Sequence, residues 1–324
     1  MKALLLCLVS FTVMSLADPA RPAMHGQSPL CPSDPALPDS SVDRSSRVSA
    51  IRESLSHKKY DEALQLAENL VKAEGGNYEG YFWRGYIQKQ RQELYSAVRS
   101  LRNAERLKPV GGAVAKVLAL CYDLLDQHQL FVRKMQEAAS LDPHDFAPHY
   151  YLGRNAASSF KCEDASSHFH AALQRNPANY FSYYELGYCL ESNGLLEEAR
   201  HNYQLSIEQA EQCHVQFSPP FSGLSRIALL ENDPIRALSQ ALQSVQLQPN
   251  LAANRMLLAQ VFMKGGRHSE AIPQLKKAIS LDETASSLYY LLYQCYLKTG
   301  ETTLAQDTLA EFKKVLSFYG EGHP

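Results

Sequence analysis

The chain carries no surplus of charge: 32 Lys and Arg stand against 34 Asp and Glu, a formal net charge of -2 over 324 residues. A nucleic-acid binder would present a basic stripe, and this sequence has none. Beyond the first residues no apolar run approaches the roughly 20 residues that a membrane-spanning helix needs. The glycine-rich phosphate loop, the G-x-S-x-G elbow and the H-E-x-x-H zinc signature are all missing. No catalytic constellation and no cofactor site is left to argue from, so the chain reads as a non-enzyme. His168 and His170 stand about 200° apart on a helix, so they cannot hold one metal ion together.

The front of the chain differs from the rest. Lys2 is followed by an apolar run, Ala3 to Met14, and then by Ser15-Leu16-Ala17. That layout predicts a secretory signal peptide cut after Ala17, which places the mature chain outside the cytoplasm, secreted or periplasmic. A dozen apolar residues are too few for a transmembrane anchor. Cys7 lies inside the run, which argues against a lipid-modified cysteine. Residues 18–43 then hold six prolines (19, 22, 29, 32, 35 and 38) among Ser, Asp and Ala. Such a composition buries little apolar surface and predicts a flexible linker.

From residue 44 a period of 34 takes over. With Phe146 as position 1, Leu152 and Gly153 fall at 7 and 8, Ala165 at 20, Phe169 at 24, Ala172 at 27 and Pro177 at 32. Starting again at Tyr180, the same slots hold Leu186, Gly187, Ala199, Tyr203 and Ser206. Positions 4, 7, 8 and 11 share a face of one helix, A, while 20, 24 and 27 share a face of a second, B. Small residues at 8 and 20 let the two backbones approach, and proline near 32 stops helix B.

This pattern resembles the tetratricopeptide repeat. Counting in both directions predicts eight units: 44–77, 78–111, 112–145, 146–179, 180–213, 218–251, 252–285 and 286–319, with 320–324 as a tail. His214 to Phe217 form a four-residue insertion. The fold expected is an all-α, right-handed α-solenoid of helix-turn-helix repeats. Helix A of the first unit is polar, with Arg47 at position 4 and Ser54 at 11, as in a capping repeat. Arg84 takes the leucine slot of the second unit. Phe131 replaces the small residue at position 20 of the third and is expected to push its helices apart.

The resemblance also implies a concave face built by helix A at positions 2, 5, 9 and 12. Those slots give Phe82, Tyr86, Lys116, Tyr150, Arg154, Phe181, Tyr184 and Tyr188, then Arg226, Met256, Met263 and Tyr290. Tyr, Met and Arg are the types enriched in interface cores. The implied function is a scaffold that holds a segment of another protein in the groove, with no nucleic acid and no membrane span involved. The competing reading is an envelope protein that stacks a glycan or another small molecule on those rings. The carboxylate clamp of some relatives is incomplete, because Lys116 is followed by Leu120 at position 9. Among the cysteines, Cys121, Cys189 and Cys295 share position 10, a slot for packing thiols. Cys162, at position 17 of one unit, falls near Cys189 of the next, which makes the pair a candidate disulfide in an exported chain.

Overall fold

A computed structural model describes residues 46–74, 76–107 and 111–319. The leader, the proline-rich segment and the five-residue tail lie outside the described residues. Within them the chain forms sixteen α-helices and no strand, arranged as eight hairpins. These are α1 (Ser46–Ser56) with α2 (Tyr60–Ala73), α3 (Tyr78–Gln90) with α4 (Leu94–Arg106), α5 (Ala113–Asp123) with α6 (His128–Leu141), and α7 (Ala147–Ser158) with α8 (Cys162–Arg175). There follow α9 (Tyr180–Ser192) with α10 (Leu196–Gln212), α11 (Pro219–Leu230) with α12 (Pro234–Leu247), α13 (Ala252–Lys264) with α14 (His268–Leu281), and α15 (Ser286–Thr299) with α16 (Thr302–Tyr319). Every odd helix begins within two residues of a start counted from the sequence.

All eight hairpins turn by one device. Position 15 is left-handed in each: Lys58, Gln92, Asp126, Phe160, Gly194, Asn232, Gly266 and Gly300 have φ between 55° and 82°. The next N–H then reaches back five residues, as from Glu93 to the Gln88 carbonyl (2.9 Å) and from Leu195 to that of Leu190 (3.0 Å). This is the Schellman closure, and it satisfies a carbonyl that the helix end leaves without a partner.

Packing follows the repeat positions. Ala97, Leu101 and Ala104, then Ala165, Phe169 and Ala172, then Ala271, Leu275 and Ala278 are fully buried at positions 20, 24 and 27. Position 8 is small because the partner helix lies against it. A Cβ added to Gly153 would sit 2.7 Å from the Phe169 ring. The departures are accommodated locally. Arg84 donates to the buried Ser100 hydroxyl at 3.0 Å and lies over the Tyr81 ring. Phe131 is buried in the core beside Met135. Arg47 turns outward to Glu74, while Val48 and Ile51 of the same helix are buried.

Odd helices of neighbouring repeats touch one another directly: α3 meets α5, α7 meets α9, α9 meets α11, α11 meets α13, and α13 meets α15. Neighbouring even helices make no contact of that extent. The stack therefore curves with its odd row on the inside. No described helix is long and apolar enough to cross a membrane.

One joint breaks the regularity. Helices α2, α6, α8, α12 and α14 all stop at position 31, where Glu74, Asp142, Asn176, Gln248 and Asp282 are extended, with φ between -134° and -147°. Helix α10 runs past that position through Ala210 to Gln212 and ends in a left-handed His214, with Val215 N–H bonded to the Ala210 carbonyl at 2.9 Å. The insertion read from the sequence is thus spent on extra helix and a short loop. The continuous apolar core splits there into one body from Val48 to Cys189 and another from Ala228 to Ala305.

Candidate protein-interaction groove

The inner row at this joint is the most aromatic part of the molecule. Phe181, Tyr184 and Tyr188 are half-buried on α9, and Tyr150 beside them on α7 is buried, so it supports the patch instead of presenting the open face that the repeat implied. The Tyr150 and Phe181 rings lie 6.2 Å apart, and Tyr184 lies 5.9 Å from Tyr203. Arg154 sits over Tyr150 at 5.9 Å and reaches Glu185 at 3.4 Å. The structure therefore brings together Tyr150, Arg154, Phe181 and Tyr184, as their positions in the repeat implied.

It adds a ring that sequence reasoning missed. Phe217, from the insertion, stands edge-on to Tyr180 (5.1 Å), Phe181 (5.1 Å) and Tyr184 (5.6 Å). No repeat position covers an insertion, so only its place just before Ser218-Pro219-Pro220 could have marked it. A cavity of about 260 Å³ opens beside it, lined by Ile207, Val215, Phe217, Phe221 and Leu247. Burial raises the hydroxyls of Tyr180 and Tyr188 above the ordinary tyrosine value, so both stay protonated.

The other inner-row residues do not join this patch. Arg226 is spent on Glu191, with Nε and Nη2 each 2.8 Å from its carboxylate oxygens. Tyr203 donates to the same carboxylate at 2.6 Å. Burial opposes the Arg226 charge, and the hydrogen bonds to Glu191 more than offset it, leaving the guanidinium above its usual value. Phe82 and Tyr86 are core residues against Trp83, at most 2% exposed, so they offer no open face where the repeat implied one. Lys116 is equally closed, bound to Asp145 at 2.6 Å. Met256 and Tyr290 belong to the far end, where Tyr290 stacks near Phe312 at 5.6 Å.

The cysteines sort by state. Cys162 and Cys189 are in thiol-to-thiol contact and both are free, so the candidate pair stands reduced here. Burial, and then the Cys162 thiol, push the Cys189 thiol up. Burial alone pushes Cys295 up to about 11 and is the main cause that takes Cys121 to about 12, so both are unreactive packing thiols. The disulfide-bonded cysteine is Cys213, buried with Tyr180 and Phe217. His168 pairs with His149 at 3.3 Å rather than with His170, and burial lowers both. The described residues hold no group of three metal-ligating side chains.

Stacked two-helix hairpins with a curved inner row define the class: an α-solenoid. The tetratricopeptide-repeat family model matches residues 168–201 and again residues 252–284. Among solved structures, the Cut9–Hcn1 hetero-tetramer of the APC/C superposes with a TM-score of 0.65 at 15% identity, covering 77% of this chain and 48% of that one. Yeast Tom70 superposes with 0.58 at 15% identity over 84% of this chain and 61% of its own. A tetratricopeptide repeat protein from Parabacteroides merdae gives 0.58 at 14% identity over 77% and 97%. This chain spans about half the length of the first of these, and at such identities the likeness is one of fold. Comparison by sequence with curated proteins gave no match. The chain is a tetratricopeptide-repeat protein.

Proposed function

We propose that the chain is an exported, non-catalytic scaffold that holds an extended segment of a partner protein against the rings at the α9 joint. The observation that carries this reading is the meeting of Tyr150, Phe181, Tyr184 and Phe217, drawn from α7, α9 and the insertion, with Arg154 at the edge. Rings of this kind bury much apolar area through few rotatable bonds, and Tyr and Arg dominate interface hot spots. The Arg154–Glu185 pair supplies a charged rim that orients the incoming segment. The adjoining cavity of about 260 Å³ falls below the roughly 300–1,000 Å³ of small-molecule sites, which favours a segment over a glycan. Export rests on the leader layout, Lys2 to Ala17.

A displayed library of random peptides, selected on the full chain, tests the groove. Selected peptides should carry an aromatic or apolar anchor. The Tyr184→Ala, Tyr188→Ala double variant should weaken them about 30-fold, or roughly 2 kcal/mol. Unchanged affinity with a lowered melting temperature would make the patch packing and remove the proposal. Export is checked separately by N-terminal sequencing of the mature chain, expected to begin at Asp18.

A further inference from the structure

We infer that the outer face of α4 is a second docking surface, one that takes an acidic segment of a partner protein. Ala97, Ser100, Leu101 and Ala104 bury one side of this helix. At about 100° per residue, Tyr95, Arg99, Arg102 and Arg106 fall within about 60° of one another on the opposite side. All four are exposed, Tyr95 to 76%. They form a ridge about 16 Å long, given the helical rise per residue. The linear sequence shows no basic stripe because these arginines stand three and four residues apart and align only once the helix winds.

No carboxylate of the described residues answers these cations. Arg102 donates Nε and Nη2 to the Tyr122 hydroxyl at 3.3 and 3.1 Å, which leaves its charge uncompensated. The acidic groups nearest in sequence are spent elsewhere: Glu93 on Arg91, and Glu105 on Lys134. Like charges three and four residues apart on a helix repel, so the ridge costs α4 stability that a bound anion returns. No other even helix carries more than one Lys or Arg at the equivalent positions.

Charge complementarity names the occupant. Guanidinium forks match carboxylates two bonds at a time, and Tyr and Arg dominate interface hot spots. The ridges on either side do not continue the patch: α2 sets Asp61 and Glu68 beside Lys72, and α6 offers only Arg133. Nucleic acid gains affinity with every phosphate neutralised, so a patch that stops after one helix suits a short acidic stretch of protein instead. The even helices lie on the outside of the curve, so this ridge and the inner groove can be filled together.

Fluorescence anisotropy of a labelled oligoglutamate, titrated with the full chain at low salt, should show saturable binding. Changing Arg99 and Arg106 together to Gln should weaken it about tenfold, since each removes an exposed ion pair. Both side chains point away from the core, so the melting temperature should hold. Lys276→Gln with Lys314→Gln removes two cations from other outer ridges and should change the affinity by less than about twofold, because distant charges are screened. An equal loss there would mean that only net charge is sensed, and would overturn the inference. Absent binding, binding indifferent to the arginine variants, or tighter binding of an oligothymidylate of equal charge or of phosphatidylserine vesicles would each do the same. The Tyr184→Ala, Tyr188→Ala variant should bind oligoglutamate as the unaltered chain does, so ridge and groove stand or fall separately.

Discussion

Between α8 and α9 the chain crosses in four residues, Asn176–Asn179; between α10 and α11 it takes six, Cys213–Ser218. At the first joint Ala172, Leu173 and Leu186 lie in one continuous apolar core. At the second the core is interrupted, and directional contacts take over. Glu191 receives both Arg226 and Tyr203. Buried Asn254 donates to Ser218, which donates to Gln248 at 2.6 Å. The difference has a physical reason. Apolar packing tolerates a repeat that slides, because it has no preferred direction. A joint out of phase with its neighbours needs hydrogen bonds of fixed length and angle to hold one arrangement.

The sharpest way to break that comparison is Glu191→Ala. It strands the Arg226 guanidinium and the Tyr203 hydroxyl, and it should cost about 2–3 kcal/mol in urea unfolding. Replacing both charges, Glu191→Met with Arg226→Leu, should recover at least half of that loss. If the single variant proved neutral, the joint would be held by its rings alone. A smaller effect separates the two joints sterically. The Tyr203 ring is pinched between Gly187 and Gly223, and a Cβ on Gly223 would lie 2.4 Å from it. Gly223→Ala should cost about 2 kcal/mol by thermal melting, somewhat more than Gly153→Ala at the regular joint, because it also moves the hydroxyl off Glu191. Equal losses would mean that the polar contacts add nothing. The smallest effect is a gain. Phe160 is 73% exposed with φ 58°, a conformation costly for a side chain and cheap for glycine. Phe160→Gly should raise stability by about 0.5–1 kcal/mol, whereas the same replacement at Phe217 should lower it by several.

The repeating part of this fold was legible because position and burial repeat together. Ala165, Phe169 and Ala172 could be placed on a buried face from spacing alone, and they are buried. The site was legible only where a residue keeps its repeat role. Phe181 and Tyr184 come together around Phe217, but Phe82, at the same position 5 as Tyr184, is swallowed by Trp83 and Tyr86, neighbours that no period specifies. Arg226 held an inner-row position too, yet a carboxylate 35 residues earlier decides its role. Phe217 stayed invisible because it belongs to no period. The oxidation of Cys213 follows neither spacing nor burial class, since buried Cys189 and Cys121 remain thiols.

The left-handed turn at position 15 has a consequence for engineering. All eight of its residues are exposed, and each follows the odd helix of its repeat. They form a row of ports along one edge of the molecule, one per repeat. Short peptides grafted at these tips should leave the helix faces untouched, since insertions are best tolerated at exposed turn tips. Displayed epitopes would then stand at the spacing of the repeats themselves, a ruler whose divisions are set by helix packing rather than by linker length.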